Sequence, residues 1–262
     1  MSLLCLGCGN GLTERYCKAC NSKNDIADIP QASFSHHLAL KQKTQENDEN
    51  TKTTPQANNV KEYYTILDIL TNDIPCRPVP GFEFLGQLPD CFSMMLFGLP
   101  GGGKSTFALR FANSLANCSD RGITLYISEE EAGQSATLKK KIVDNHMTNT
   151  PNFLLMDQYR GEVHLKRFTA QHVIKNIIID SITSIGLTPT EIKRYRDYVI
   201  HDLKGILVII CHARKDEKIK YKGDSSVGHL VDIVCLVDNG MVITDKNRLY
   251  FSKNSEYKIW ED

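Results

Sequence analysis

The chain lacks net charge, with 31 basic side chains against 31 acidic ones over 262 residues. That balance excludes a general attraction to phosphate backbones, so binding of nucleic acid would have to come from a local basic patch. The chain also lacks any apolar run near the roughly 18 residues that a spanning helix needs. Its opening Met-Ser-Leu-Leu-Cys-Leu carries no basic lead and stops at Gly7, so neither a membrane segment nor a secretory leader is expected and a cytoplasmic location is. No internal repeat is found. Cysteine, by contrast, is plentiful: of nine, four fall within the first twenty residues, a distribution that suits a reducing compartment and a metal site better than a disulfide framework.

Composition divides the chain into three. Residues 1–30 hold the clustered cysteines. Residues 41–60 contain one valine and one alanine among charged and amide side chains, too little apolar surface to offset the entropy of ordering, so 31–60 is expected to be a flexible linker. From 61 to 262 short apolar runs alternate with helical patterns. Ser93–Phe97, Ile123–Ile127, Phe153–Met156, Ile177–Ile179 and Ile206–Ile210 read as strands covered on both faces. Helices are expected over Ser105–Ala116, Gln134–His146, Glu162–Thr169 and Thr190–His201, the last preceded by Thr188-Pro189 with Glu191 three residues after the threonine. The alternation implies an α/β fold with a mainly parallel sheet. After Val231 the pattern Val234–Val237, Asn239-Gly240, Met241–Thr244 reads as a hairpin, so antiparallel strands are expected at the end of the sheet.

Gly98-Leu99-Pro100-Gly101-Gly102-Gly103-Lys104-Ser105 fits G-x-x-x-x-G-K-[ST] in full, where a strand hands over to a helix, with Thr106 following. Glycines let successive backbone N–H groups curl around a phosphate at a helix N-terminus. Lys104 is expected to reach the β- and γ-phosphates and Ser105 to ligate magnesium. The strand Asn176–Ile179 ends in Asp180, and a carboxylate there faces the crevice where ligands bind and can hold magnesium through water. Ser128-Glu129-Glu130-Glu131, at the end of another strand, supplies candidates for a base; the residue types alone do not choose among the three acids.

These residues resemble the RecA-like P-loop ATPases and, within them, the bacterial RadA family of DNA-repair proteins. Leu125-Tyr126-Ile127-Ser128-Glu129-Glu130-Glu131 is similar to that family's strand ending in Ser-Gly-Glu-Glu, which implies that Glu130 is catalytic. His212 resembles the sensor position that reads the γ-phosphate, and His229-Leu230-Val231-Asp232 is similar to the family's His-Met-Val-Asp. Lys246-Asn247-Arg248 is similar to Lys-Asn-Arg-Phe-Gly, which implies that Lys246 and Arg248 reach a neighbouring subunit's nucleotide. The chain departs from the family in three places. The family's C-terminal protease-like domain is not expected, the sequence reaching Asp262 directly after the last strands; the glycine-rich stretch before the phosphate loop is replaced by Pro80–Gly86, and Tyr250 stands where the closing glycine would be.

Cys5-x-x-Cys8 and Cys17-x-x-Cys20 can place four thiolates around zinc, and the family resemblance implies the same zinc ribbon. Residues 212–222 contain Arg214, Lys215, Lys218, Lys220 and Lys222 against Asp216 and Glu217. In RecA-like proteins that loop contacts single-stranded DNA, with Tyr221 here a stacking partner. Motifs and resemblance together imply a zinc ribbon tethered to a RecA-like core, expected to hydrolyse ATP with magnesium and to act on single-stranded DNA in recombination or repair. A homo-oligomeric ring or filament is implied, with a protein partner open to the ribbon. A replicative-helicase-type motor and a nucleotide-gated interaction switch with slow hydrolysis are the alternatives.

Overall fold

The structure, a computed structural model, describes residues 65–131, 133–147, 151–214, 220–221, 226–250 and 255–260; of 214, 220, 221 and four two-residue strands within 3–23 only the backbone is described. The chain forms two compact units, Met1–Ile69 and Leu70–Asp262. In the first, Leu3–Leu4 pairs antiparallel with Gly11–Leu12, and Tyr16–Cys17 with Ser22–Lys23. The rest of the expected zinc ribbon and the linker over 31–60 lie outside the described residues.

The second unit, in which Cys76–Arg77 and Leu88–Pro89 pair separately, has one main sheet. Its strands are β1 Phe92–Gly98, β2 Ile123–Ser128, β3 Phe153–Met156, β4 Ile174–Asp180, β5 Ile206–Arg214, β6 Ile233–Asp238, β7 Met241–Asn247 and β8 Glu256–Lys258. Across the sheet they run β8-β7-β6-β1-β5-β4-β2-β3, with Lys220–Tyr221 folded back on the end of β5. The first six strands are parallel; β7 and β8 add antiparallel beyond β6. A mixed, mostly parallel sheet flanked by helices agrees with the expected α/β class and fits a RecA-like core. The hairpin turn falls at Asn239-Gly240, both at positive φ, as Asn-Gly requires in a two-residue turn.

Strand parity creates two apolar layers. Met94, Leu96, Tyr126, Ile178, Val208 and Ile210 pack with Phe107, Phe111 and Leu115 of helix α1 (Lys104–Asn117) and with Leu138 of α2 (Ala136–Asp144). The alternate residues Met95, Leu125, Ile127, Ile177, Ile179 and Ile209 pack on the other face. There they meet Leu165 of α3 (Glu162–His172), Ile182 of α4 (Ile182–Ile185), Ile192 of α5 (Pro189–Asp197) and Val227 of α6 (Ser226–Leu230). With both faces covered, the central strands carry apolar residues at nearly every position, which is why they read as continuous runs.

Two polar groups fix the strand starts. Asp232, just before β6, accepts from the Ser93 amide at 2.9 Å and the Ser93 hydroxyl at 2.7 Å. The buried Asn176 side chain donates to the Arg121 carbonyl and the Thr124 hydroxyl and accepts from the Ile206 amide, tying β2, β4 and β5 together where β4 shifts register. Buried amides of this kind persist because every polar atom has a partner.

Helix α5 starts where Thr188, Pro189 and Glu191 place it: the Thr188 hydroxyl accepts from the Glu191 amide, and the Glu191 carboxylate accepts from the Thr188 amide at 2.8 Å. Its far end differs from the expected Thr190–His201, since the α-helix stops at Asp197 and Tyr198–Asp202 widens into a π turn. Thr188→Ala is expected to cost about 1 kcal/mol and to lower the melting temperature by about 2–4 °C. Calorimetry on the wild type and the variant measures both.

Candidate active site

The phosphate loop joins β1 to α1 and is closed by contacts that only glycine permits. A Cβ on Gly98 would lie 1.9 Å from the Val237 carbonyl oxygen of β6, so any side chain would part β1 from its neighbour. Gly103 takes φ of +104° as the residue before α1, and no side chain caps that helix end. The loop is braced by the hairpin turn, whose Gly240 amide donates to the Gly102 carbonyl at 3.1 Å. Leu99, Pro100 and Gly101 form the crest of the loop between these fixed points. Lys104 is buried, and its Nζ donates to the Gly98 carbonyl at 3.0 Å and the Leu99 carbonyl at 2.8 Å. Burial pushes its ammonium below the ordinary lysine value, while Asp180 and Glu130 act in the opposite sense.

Parity decides which strand-end residues meet the loop. His212 lies directly opposite Gly98 in the β5–β1 ladder, and it continues the even-numbered positions Val208 and Ile210 that face α1. Asp180 likewise follows Ile178 on that face and lies opposite Ser128 of β2. Asp180 is 4% exposed. Its carboxylate accepts from the Tyr126 hydroxyl at 2.6 Å, and the nearby Ser105 hydroxyl favours its charged form. Burial raises the Asp180 pKa above the ordinary aspartate value, against the Tyr126 and Ser105 hydroxyls, which work to lower it. Thr106 follows Ser105 in the first turn of α1.

Three consecutive acids after β2 turn in three directions. Glu129 accepts from the Tyr159 amide, and Glu131 pairs with Lys141 Nζ at 2.8 Å. Glu130 alone turns to the strand ends, where its Oε1 meets the Ser184 hydroxyl at 2.6 Å, the Ser181 hydroxyl at 3.0 Å and His212 Nε2 at 3.0 Å. Dispersal relieves the repulsion among adjacent carboxylates. Burial works to raise the Glu130 carboxyl, but the hydrogen bonds from Ser184, Ser181 and His212, with the attraction of His212, outweigh it and leave the group below the ordinary glutamate value. Phosphate loop, buried aspartate, hydrogen-bonded glutamate and histidine thus share one crevice at the carboxyl ends of β1, β2, β4 and β5, where open parallel sheets bind ligands.

The basic pair divides. The resemblance implies that Lys246 and Arg248 reach a neighbouring subunit's nucleotide; within this chain the Lys246 Nζ donates to the Gly228 and Val231 carbonyls at 2.7 and 2.6 Å. These carbonyls lie in and just after the short helix α6, and unpaired carbonyls at a helix C-terminus attract a cation. Burial, and then the neighbouring Arg248, push the Lys246 pKa down, while Asp232 raises it. Arg248 is exposed. Of the basic loop, the backbone of Arg214 pairs with Lys220 and that of Ala213 with Tyr221; Lys215, Lys218 and Lys222 lie outside the described residues. So do Cys5, Cys8 and Cys20, and of Cys17 only the backbone is described.

Three groups at the site carry no motif of their own in the sequence: Tyr126, Ser181 as a partner of Glu130, and Ser184. The spacing Ser181-x-x-Ser184 carried a signal, because Ser181 caps α4 by accepting from the Ser184 amide. Both hydroxyls are thereby gathered beside Glu130. Removing one of these donors in Ser184→Ala is expected to move the Glu130 carboxyl titration upward, read by carbon-detected NMR of the side chain. The sign follows from linkage: a depressed carboxyl contributes stability that is present above the ordinary glutamate range and lost as pH falls through its folded value. The variant should lose part of that contribution near neutral pH.

No protein-family profile matches the chain. The chain is similar to the DNA repair protein RadA of Campylobacter jejuni subsp. jejuni, at 28% identity over 159 residues. The match covers 57% of this chain and 34% of that protein, so the chain spans about a third of the length of the curated relative it matches.

Proposed function

We propose that the chain is a magnesium-dependent ATPase that acts on single-stranded DNA in recombination or repair. The observation that carries the reading is the convergence of a complete phosphate loop, Asp180 with Ser105, and Glu130 with His212 at one end of the sheet. The similarity to a protein named for DNA repair supports the biological setting.

In this reading the loop from Gly98 to Ser105, continued by Thr106, holds the phosphates. Lys104 exchanges the Gly98 and Leu99 carbonyls for β- and γ-phosphate oxygens, which need a cation more than neutral carbonyls do. The Ser105 hydroxyl and the Asp180 carboxylate are hard oxygen donors side by side, the set that suits magnesium. When bound, that ion would neutralise charge developing on the phosphates. Glu130 takes the proton of the attacking water, a role its ionised state suits, and must release at least one of its three donors to do so. His212 lies near the end of β5, the strand that leads into the basic loop containing Arg214, Lys215, Lys218, Lys220 and Lys222, so DNA on that loop would act on Glu130 through one side chain. Arg248 is the exposed cation offered to a neighbouring copy in a ring or filament, with Lys246 holding α6 beside it.

Cys5, Cys8, Cys17 and Cys20 are proposed to hold zinc on the strength of their spacing, and the ribbon they form to recruit a protein partner. Among the described residues no group of histidines, cysteines and acids is arranged to hold a metal, and no helix is long and apolar enough to cross a membrane. A second reading, a nucleotide-gated switch with slow hydrolysis, is favoured by one observation: the Glu130 carboxylate is already engaged by three donors.

Steady-state ATP hydrolysis with and without single-stranded DNA separates the readings. Lys104→Ala is expected to lose nucleotide binding and turnover together. Glu130→Gln should keep binding and lose about 10²–10⁴-fold in turnover. Severalfold stimulation by DNA that disappears in Glu130→Gln supports the DNA-acting ATPase, whereas slow turnover indifferent to DNA supports the switch. Undiminished hydrolysis in Lys104→Ala would overturn both.

A further inference from the structure

Tyr126 is a tyrosine where packing asks only for an aromatic ring. It sits in the middle of β2, 1% exposed, within the apolar layer under α1, and its ring stacks beside Phe153 at 6.3 Å. Phenylalanine would fill that space and stack equally well. A buried hydroxyl without a partner is costly, and this one donates to Asp180 Oδ2 at 2.6 Å. Backbone register makes the contact: Tyr126 lies opposite Ile178 of β4, Asp180 is two residues further along on the same face, and an aromatic side chain reaches its diagonal neighbour. Asp180 cannot choose another rotamer freely, being 4% exposed at the end of a strand packed on both faces.

We infer that Tyr126 is a positioning residue for Asp180: its hydroxyl fixes one carboxylate oxygen and so sets the rotation of the carboxylate plane towards Ser105 and the phosphate loop. The inference rests on the proposed reading of the site as a magnesium-nucleotide site. It extends that reading to a residue remote from the phosphates, buried beneath the crevice. Partners of this kind orient an ion-binding carboxylate without touching the ion, and their loss weakens ion binding by roughly 10–100-fold in known sites.

The experiment is calorimetric binding of ATP to the full chain, in magnesium and again in EDTA, for the wild type, Tyr126→Phe and Tyr198→Phe. Tyr198 is the control, because its hydroxyl pairs with Thr169 at 2.6 Å on the opposite face of the sheet, and its loss reports a deleted half-buried hydroxyl elsewhere. Tyr126→Phe is expected to lose about tenfold or more of the magnesium-dependent gain in affinity, with binding in EDTA within about twofold of the wild type. Tyr198→Phe should keep the gain. An unchanged magnesium-dependent gain in Tyr126→Phe, or an equal fall in both buffers, overturns the positioning role. A wild type that binds ATP equally in magnesium and EDTA overturns the site assignment and the inference with it. Should Tyr126→Phe fold poorly, the Tyr126 hydroxyl proton of the wild type gives the second readout by NMR. It is expected to shift on adding ADP with magnesium and to stay in place with ADP in EDTA; the same response in both buffers overturns the inference.

Discussion

A carboxylate buried at the end of a strand covered on both faces must find its hydrogen-bond donors inside the protein, and the site is organised around how Asp180 does so. Water reaches it hardly at all. It is held from two directions: the Tyr126 hydroxyl of the adjacent strand β2 donates to it, and the Ser105 hydroxyl in the first turn of α1 favours its charge. The first contact requires that β2 and β4 keep their register, and the second that the phosphate loop deliver α1 to one place above the sheet. Asn176 ties β2, β4 and β5 together at their starts, and Asp232 ties β1 to the approach of β6. Polar pairs at one end of the sheet thus help to fix the alignment on which the opposite end depends.

The glutamate beside it is controlled differently. Glu130 is more open than Asp180, and its three donors outweigh the burial that prevails at Asp180. One crevice therefore contains two acids whose environments push in opposite directions, one raised and one lowered, as happens when neighbouring carboxyl groups take different tasks. Ser181 belongs to both: it follows Asp180 in the chain and donates to Glu130. His212, opposite Gly98 across the ladder, links the same cluster to the strand that enters the basic loop.

Much of this was legible in the sequence because it depends on short-range pattern. The phosphate loop has to be glycine-rich and has to lie between strand and helix, and it does. Continuous apolar runs marked strands buried on both faces, Asn239-Gly240 marked a turn, and Thr188 with Glu191 marked a helix start, each for a reason contained in a few adjacent residues. The choice of Glu130 over Glu129 and Glu131 was not contained in those residues. Three adjacent acids are equivalent until Tyr159, Lys141 and the Ser181–Ser184–His212 group draw them apart. The inward turn of Lys246 was hidden for the same reason, since its carbonyl partners lie 18 and 15 residues earlier in the chain.

By itself, then, the sequence determined the α/β alternation, the phosphate loop and the strand ends at which acids and a histidine would stand, all consequences of local sterics and of which side chains avoid water. The tertiary structure alone decided which of those groups meet. Strand order placed β1, β5, β4 and β2 side by side, parity turned Asp180 and His212 to the face that carries α1, and register set Tyr126 diagonal to Asp180. Those outcomes depend on pairing between segments about 30 to 120 residues apart, and contacts at that range are fixed by packing the whole sheet rather than by any local preference.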